Sequence, residues 1–509
     1  MKKLIHIFPV GVNSLLRAKR SHIVLAVLLV FSACDTFLEE VPDNRVSLDD
    51  LDKAAQLLTN AYSNASYAFT DWMSDDFTYT VGTTLRTEHQ QMYVWDDPFS
   101  NPDDQDTPAF FWYQTYTAIS HANEVLQIID ELEVDQEDRE RRDAIKAEAL
   151  LTRAYGHFML VNLFGEEFNF GNNGSGPGVP YIFEPETEFL VEYERASVRS
   201  VLDDVEDDLR DGLELLNDSY YSNSGKYHFN RNAALAFASR FYLYKADFIR
   251  CKQYSDELLG SNPEAFVRDM TSEEFRASKA STSGYPQLYS SPDLPSNLLL
   301  IRKISLVQRT DFAYGVDENN YGSLFATHPF DDATDERENP AWVKGLNALF
   351  PVRYESLFER SSINSNVGTP YHIALAFRGE EVLLNRVEAS IYNNQFDDAI
   401  ADLQVLSDRR YTGGDVTLTM SRLRTFFNAD DDASFTDDLI LLNYLLLERR
   451  KEFIGQGMRW FDIKRYSLAV DHRGPDGSVI ARLERDDNRK VLQIPKSAIE
   501  VGGLEPNER

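Results

Sequence analysis

The stretch Glu448-Arg-Arg-Lys-Glu-Phe-Ile-Gly-Gln-Gly-Met-Arg-Trp-Phe-Asp-Ile-Lys-Arg465 carries the most specific information about the fold of this chain. Charged and aromatic residues are interleaved along it. On a helix, charged residues three or four positions apart can pair, and aromatic rings bury large areas. We therefore predict that residues 448–465 act as a structural staple between helices, with a ligand site at residues 459–462 as the alternative. The residues in this prediction are Arg449, Glu452, Arg459, Trp460 and Asp462.

Helical periodicity recurs upstream of this stretch. Gly165 is placed to cap the C-terminus of one predicted helix, and Ser197 to cap the N-terminus of the next. Arg153 and Tyr155 lie inside the first of these, where we expect them to pack and to pair. The predicted helices span residues 48–67, 112–132, 141–164 and 197–216, and a helical hairpin spans 232–259 with a break around Asp247-Phe248.

A second hairpin is predicted from two helices at residues 380–392 and 397–410. Its small-then-aromatic spacing, at Ala389, Phe396 and Ala399, resembles a tetratricopeptide unit, in which small residues let two helices pack closely. We expect two to four such units, irregularly spaced. Between about residue 260 and residue 370 the periodicity fades, which indicates a loop-rich stretch where binding residues can concentrate. The predicted fold class is mainly α.

The N-terminus reads as a secretory leader that ends at a cysteine. Basic residues precede nine apolar residues, Ile23 to Phe31, and Ser32-Ala33 leads directly into Cys34. The apolar run is shorter than the roughly 20 residues that a membrane-spanning helix needs. We predict cleavage before Cys34 and lipid attachment to its thiol, and an ordinary secretory signal is the alternative.

The charge balance excludes some partners. The chain has 51 basic and 83 acidic residues and a net charge of −32. Such a surface repels nucleic acid and anionic lipid, so we expect no nucleic-acid partner and a membrane attachment that depends on the lipid at Cys34. Cys251 then has no disulfide partner, and we expect it to be buried in a helix.

No motif for catalysis is found. The sequence has no zinc-protease helix motif, no Gly-x-Ser-x-Gly elbow and no phosphate-binding loop. Asn428-Ala-Asp-Asp-Asp432 places oxygen ligands on alternate residues, but Ala433 and Leu439 stand where an EF-hand needs glycine and an acid. A looser structural calcium site and a solvated acidic turn both stay open there. We predict no catalytic residue and no cofactor.

Four segments resemble the SusD/RagB family of nutrient-binding outer-membrane lipoproteins of Bacteroidetes. They follow one another in the family's order and cover nearly the whole mature chain. The segments are residues 146–165 followed by Gly178-Val-Pro180, His121-Ala-Asn-Glu-Val-Leu126 after Trp112 and Tyr116, Arg195-Ala-Ser-Val-Arg-Ser-Val-Leu202 with Asp208-Leu209, and residues 448–465 followed by Ile494-Pro495.

This resemblance implies a mostly helical single domain, in which tetratricopeptide-like hairpins pack against an irregular, loop-rich ligand-binding half. It also implies a non-catalytic, surface-exposed outer-membrane lipoprotein that binds a glycan or other nutrient and hands it to a SusC-like TonB-dependent transporter. The expected organisation is a signal peptide at 1–33, a lipidated tether at 34–47, an N-terminal helical region at 48–260 and a C-terminal RagB/SusD region at 261–509.

Sugar binding needs aromatic faces together with amide, carboxylate or guanidinium groups. Two segments outside the predicted regular helices, residues 71–79 and 93–101, offer that mixture, and family members often place ligand-binding aromatic residues in this region. For each aromatic residue, a place in the core is the alternative. The candidate ligand-binding residues are Asp71, Trp72, Asp75, Tyr79, Tyr93, Trp95, Asn101, Tyr314 and Tyr321.

Two other functions stay open at this point. A surface glycan hydrolase would need a pair of carboxylates in a cleft, and the spatial separation of the 83 acidic residues is not visible in the sequence. A structural lid would contact only the transporter and bind no ligand of its own.

Overall fold

The computed structural model describes residues 48–509, apart from 98–100, 169–170, 188–190, 222–223, 310–312, 340–341, 431, 433 and 475. The predictions for the leader at 1–33, for lipidated Cys34 and for the tether at 34–47 lie outside the described residues. None of the helices described here is long and apolar enough to cross a membrane.

Helices dominate the described part of the chain, so the predicted mainly α fold class is confirmed. Residues 50–509 form one compact unit. The helices are α1 (Leu51–Leu58), α2 (Thr87–Tyr93), α3 (Pro108–Ile128), α4 (Arg139–Phe164), α5 (Val198–Leu215), α6 (Arg231–Tyr244), α7 (Phe248–Leu259), α8 (Glu273–Ser278), α9 (Gly284–Tyr289), α10 (Glu318–Ala326), α11 (Gly379–Tyr392), α12 (Phe396–Asp408), α13 (Met420–Phe426), α14 (Asp437–Phe453), α15 (Arg459–Arg465) and α16 (Lys496–Glu500).

Local capping explains several boundaries that the sequence predicts. Helix α4 ends at Gly165, as expected. The Ser197 side chain accepts a hydrogen bond of 3.1 Å from the Ser200 amide at the start of α5. Asp247 accepts one of 3.0 Å from the Arg250 amide, and thereby separates α6 from α7. Each cap satisfies an amide that has no partner within its helix.

Two predicted helices have different bounds in the structure. The helix predicted over residues 48–67 is shorter and comprises only α1, because the chain leaves the helix after Thr59 and Ala65 forms a bridge with Ile304. The helix predicted from residue 112 begins earlier, at Pro108, with Thr107 as its N-cap. Proline suits this first position because its missing N–H needs no partner there.

The predicted helical hairpins are present as the pairs α6–α7 and α11–α12, and α7 also packs on α11. Ala389 and Ala399 are fully buried at the close contact of α11 with α12. Cys251 on α7 is buried, carries a free thiol and lies 3.6 Å from the Asn385 carbonyl oxygen of α11. The prediction of a buried helix cysteine is therefore confirmed.

Most of the short strands lie in or overlap the stretch between about residues 260 and 370, which the sequence predicts to be loop-rich, and the others lie near residues 77, 411 and 470–483. They form a sheet in the order β1-β3-β6-β5, a second in the order β2-β8-β7, and the pairs β4-β9 and β10-β11. Most of these strands pair with segments distant in the sequence, and no local pattern reveals those pairings. The pairs β5–β6, β7–β8 and β10–β11 are local hairpins. They are β1 (Phe77–Tyr79), β2 (Asn297–Lys303), β3 (Tyr314–Asp317), β4 (Thr334–Asp335), β5 (Val343–Lys344), β6 (Ala348–Phe350), β7 (Leu357–Arg360), β8 (Gly368–Arg378), β9 (Tyr411–Thr412), β10 (Val470–Arg473) and β11 (Val479–Leu483).

Candidate functional site

Five of the predicted ligand-binding aromatic residues lie together in one cluster. Antiparallel pairing of β1 with β3 places Tyr79 opposite Tyr314. The Tyr314 ring centroid is 5.0 Å from that of Trp72 and 5.3 Å from that of Tyr93. Trp95 joins the cluster through the imidazole of His472, which stacks between its ring and that of Tyr93 at 4.3 and 4.1 Å.

The rings of this cluster are packed against one another and against the core. Trp72 is 0% exposed, and Trp95 and Tyr314 are each 1% exposed. The Trp95 indole N–H donates a hydrogen bond of 2.9 Å to the Met73 carbonyl oxygen. Because a stacking platform needs an open ring face, the packing gives these rings a structural role, and ligand binding by them stays a prediction. Only Tyr79 among the five is half-buried.

The other predicted ligand residues are divided among separate places. Tyr321 is buried against Trp342, with ring centroids 5.0 Å apart, and its hydroxyl accepts a hydrogen bond of 2.7 Å from the Asn339 amide. Asn101 is exposed, and its side-chain oxygen accepts a hydrogen bond of 3.1 Å from the Asp103 amide within the same loop. The structure therefore does not bring these two residues into the aromatic cluster.

The two predicted acidic ligands instead contact the 448–465 segment. Asp71 is buried and accepts a hydrogen bond of 2.8 Å from the Gly457 amide, and burial raises the pKa of its carboxyl. Asp75 receives two hydrogen bonds of 2.8 Å from the Arg459 guanidinium. Burial alone would raise the pKa of Asp75, but the charge of Arg459 and its hydrogen bonds lower it instead. Both carboxyls hold the N-terminal loop in place.

Charged residues of the 448–465 segment hold helices together, but the four in the prediction do not pair with one another at helical spacing. The i,i+3 pairs that do form are Glu448 with Lys451, at 3.3 Å, and Asp462 with Arg465, at 3.0 Å. Arg449 binds Asp462 at 3.1 Å across 13 residues, and Glu452 binds Arg410 at 2.8 and 3.0 Å across 42 residues. Helix α14 ends at Phe453, and Gly455 and Gly457, both at positive φ, turn the chain so that Asp462 on α15 reaches Arg449 on α14. Trp460 is fully buried.

Arg153 and Tyr155 are packing and pairing residues of α4, as the sequence predicts. The Arg153 guanidinium donates hydrogen bonds of 2.7 and 2.8 Å to the two carboxylate oxygens of Asp208 on α5. Tyr155 is buried among the rings of Phe229, Phe237 and Phe377. Neither side chain is available to a ligand.

An open groove of about 360 Å³ lies at a different place, between the end of α1, the middle of α3, the turn at Gly225–Tyr227 and strand β2. Gln114, Thr117 and His121 lie three and four positions apart on α3, so they share one face of that helix. We call this the polar groove and define it by six of its lining residues: Asn60, Asn64, Gln114, His121, Tyr227 and Arg302.

Aromatic rings line the polar groove on one side. Tyr227 is 42% exposed. Half-buried Tyr62 stacks on Phe229 with ring centroids 6.0 Å apart, and its hydroxyl donates a hydrogen bond to Glu148. His228 Nδ1 lies 2.8 Å from the same carboxylate. These contacts hold the base of the groove in one arrangement and leave the Tyr227 ring open.

Two buried polar atoms at the groove have no hydrogen-bond partner within the described part of the chain: Asn64 Oδ1 and His121 Nδ1. Leaving a buried donor or acceptor unsatisfied costs about 1–3 kcal/mol. A ligand rich in hydroxyl groups can satisfy such atoms, because a hydroxyl both donates and accepts. The groove therefore combines an open aromatic face with unmet hydrogen-bonding capacity.

The charges at the groove do not fit two-carboxylate hydrolysis. Among the described residues that line it, none is Asp or Glu, whereas Arg302 contributes a guanidinium.

Over the described ranges, no group of three or more His, Cys, Asp or Glu side chains could hold a metal ion. In the acidic turn at 428–432, the Asp432 carboxylate accepts a hydrogen bond of 2.9 Å from the Ser434 amide, and residue 431 lies outside the described residues.

Sequence reasoning missed the polar groove because its residues come from four separate segments and form no motif. The one local signal is the row of polar residues at Gln114, Thr117 and His121 on the otherwise largely apolar helix α3. That row shows an exposed helix face but does not show what lies opposite to it.

Comparisons with known proteins identify the relatives of this chain. A family model described as starch-binding and associating with the outer membrane matches residues 36–243, and a model of the SusD family matches residues 331–499. A SusD-like protein of Formosa agariphila is 21% identical over an alignment 511 residues long, gaps included. The alignment covers 89% of this chain and 92% of the relative.

Solved structures share the fold. A SusD superfamily protein from Bacteroides thetaiotaomicron superposes with a TM-score of 0.66 at 20% identity and covers 91% of this chain and 100% of its own. A laminarin-binding SusD-like protein gives a TM-score of 0.60 at 17% identity, with 90% and 98% coverage. The two family models, which together match most of the chain, show that it belongs to the SusD/RagB family.

Proposed function

We propose that this chain is a non-catalytic glycan-binding protein and that the polar groove holds the glycan. The family match supports binding to carbohydrate, since one model is described as starch-binding and one structural relative binds laminarin. The groove supports the location, because its volume of about 360 Å³ lies in the range of small-molecule sites.

The observation that carries this proposal is the exposed Tyr227 ring beside the unsatisfied atoms Asn64 Oδ1 and His121 Nδ1. A pyranose ring has an apolar face that stacks on an aromatic ring, while its hydroxyl groups extend from the rim to amides and imidazoles. The absence of carboxylates among the described groove residues favours binding over hydrolysis, which needs two of them.

The proposal extends to the place of the protein in the cell. The leader and Cys34 support a lipid anchor in the outer membrane, and one family model is described as associating with that membrane. We propose that the protein passes its glycan to a SusC-like TonB-dependent transporter. Co-purification of the transporter with the full-length chain from the native outer membrane tests this step.

Calorimetric titration of the purified chain with a panel of plant, host and microbial oligosaccharides tests binding. Tyr227→Ala should weaken binding of the recognised glycan by more than about 1 kcal/mol, as removal of a central aromatic contact does. Tyr220→Ala is the matched control, because Tyr220 is 40% exposed but does not line the groove. Equal effects of the two substitutions, or release of product from the glycan, would contradict the proposal.

A further inference from the structure

The polar groove differs in charge from the rest of the molecule. The chain has 83 acidic residues among 509 and a net charge of −32, yet no Asp or Glu is found among the described residues that line the groove. Neutral sugars are commonly held by carboxylates that accept hydrogen bonds from neighbouring hydroxyl groups. Among the described residues that line this groove, the acceptors are amides and an imidazole. The Glu148 carboxylate beneath it is hydrogen-bonded to Tyr62 and lies 2.8 Å from His228 Nδ1.

Arg302 supplies a cation at the rim of this groove. It lies on β2, its side chain is 43% exposed, and its guanidinium carbon lies 4.6 Å from the centroid of the Tyr371 ring on β8. The contact with the Tyr371 ring positions the guanidinium, which pairs with Glu359 in the structure. An arginine edge matches the geometry of a carboxylate or a sulfate, which it can bind through two parallel hydrogen bonds.

The present partner of Arg302 can be displaced at low cost. Glu359 on β7 pairs with Arg302 at 2.5 Å, and its side chain is 59% exposed. Exposed ion pairs contribute little to stability because both groups are well solvated without each other. A ligand anion at the groove can therefore take the position of Glu359 on the guanidinium.

We propose that the polar groove takes an oligosaccharide that bears carboxylate or sulfate groups, and that Arg302 binds one such group in place of Glu359. This inference rests on the proposed function and names the class of its ligand. Uronic acid residues and sulfate esters are the two sources of this anionic chemistry, and Arg302 is the residue that distinguishes them from neutral sugars.

Matched ligands test the inference. The wild-type chain is titrated with an oligouronate and with the same oligosaccharide reduced to its neutral form, and with a sulfated oligosaccharide before and after desulfation. We expect at least one anionic ligand to bind roughly 10-fold more tightly than its neutral counterpart, which corresponds to one charge-assisted contact. The pair that shows this difference identifies the carboxylate or the sulfate as the recognised group.

Two substitutions with opposite expected effects locate the contact. Arg302→Gln should weaken binding of the anionic ligand much more than binding of its neutral counterpart, and so remove most of the preference. Glu359→Gln should strengthen binding of the anionic ligand by roughly 3-fold, because it removes a competing anion. Arg360→Gln is the control. Arg360 is exposed and follows Glu359 on β7, so its side chain lies on the opposite face of that strand.

The outcomes separate this inference from the proposed function. Saturable binding of neutral and anionic ligands with equal affinity, or an unchanged preference in Arg302→Gln, overturns the inference and leaves glycan binding in place. An equal loss of affinity for the anionic and the neutral ligand in Arg302→Gln also overturns the inference, because Arg302 then only supports the shape of the groove. No saturable binding of any oligosaccharide in the panel overturns the proposed function itself. Thermal unfolding of each variant shows whether it is folded.

Discussion

Arg459 binds Asp75 through two hydrogen bonds of 2.8 Å, although the two residues are 384 positions apart in the sequence. A neighbouring pair repeats the connection, since Arg450 donates a hydrogen bond of 2.6 Å to Asp76. Together the two pairs fasten α14 and α15 to the N-terminal loop that leads into β1. The C-terminal segment therefore determines where the loop near residue 75 lies.

Removing the charge of Asp75 should destabilise the fold. Asp75→Asn leaves the buried Arg459 guanidinium without a carboxylate, and breaking a buried pair on one side costs about 3 kcal/mol. Denaturant unfolding of the two proteins measures this difference. Glu257→Gln is the control, because Glu257 and its partner Arg231 are both exposed and such a pair contributes less than about 1 kcal/mol. Equal losses would contradict the structural role of the Arg459 pair.

Replacing Trp95 by alanine should lower the free energy of unfolding much more than replacing Tyr227 does. Trp95 is 1% exposed, so Trp95→Ala should lower the free energy of unfolding by about 3–5 kcal/mol through the cavity it leaves. Tyr227 is open to solvent, and Tyr227→Ala should change the free energy of unfolding by about 0.5 kcal/mol or less. Unfolding by denaturant distinguishes the two. A Trp95→Ala variant with unchanged stability would contradict the packing role of this ring.

Gly457 is required by the turn between α14 and α15. Its φ is +76°, and a Cβ at this position would lie 2.7 Å from the Tyr67 carbonyl oxygen. Gly457→Ala should therefore cost more than the roughly 1–2 kcal/mol of a left-handed backbone alone. Gly82→Ala is the matched control, since its φ is +84° but its Cβ would meet nothing within 4 Å. Similar unfolding midpoints for the two variants would show that the Tyr67 contact is not limiting.

Acid should destabilise the protein through His157. Its Nδ1 lies 3.0 Å from the Arg153 carbonyl oxygen, and its Nε2 accepts a hydrogen bond of 3.0 Å from the Ile182 amide, an arrangement that suits the neutral ring. Burial lowers the pKa of His157 from 6.5 to about 3. In the window between these values the unfolded chain binds a proton that the folded chain does not. The free energy of unfolding therefore falls as pH falls, by about 1.4 kcal/mol per pH unit.

The variant His157→Gln removes this titration. At neutral pH it should be less stable than the wild type, and the difference should shrink as the pH is lowered from 6.5 towards 3. Denaturant unfolding of both proteins over this pH range measures the difference, with the other histidines common to the two. A difference that stays constant with pH would contradict a neutral, buried His157.

The sequence predicted those parts of the fold that depend on local chemistry. Gly165 at the end of α4, Ser197 at the start of α5 and Asp247, where a break was predicted, at the start of α7 each act within four residues. These boundaries therefore follow from neighbouring residues. The strands of the second half were missed for the opposite reason. Strand β2 pairs with β8 some seventy residues later, and its apolar residues resemble those of a buried helix until that partner is known.

The aromatic residues also divide into what local sequence predicts and what long-range packing decides. The sequence placed Trp72 and Trp95 in a loop region rich in aromatic and polar groups, where a core role and a ligand role were both open. Only the tertiary structure decided the matter of exposure: His472, far along the chain, stacks on Trp95 and completes a closed cluster. An aromatic residue binds a ligand or fills a core according to what covers its face, and the covering residues are set by long-range packing.

By itself the sequence determined the mainly α fold class, the family and the positions of most helices, because these depend on periodicity, on caps and on motifs that are continuous in the chain. The lipoprotein leader is also read from a continuous motif and stays a prediction. The tertiary structure decided the partners of Arg459 and Asp75, the burial of the predicted ligand residues and the existence of the polar groove. The ion pairs depend on which of the 83 acidic and 51 basic residues meet in space, and burial and the groove depend on which segments pack together. Residues such as Gln114, Tyr227 and Arg302 face one groove only after distant segments have packed together.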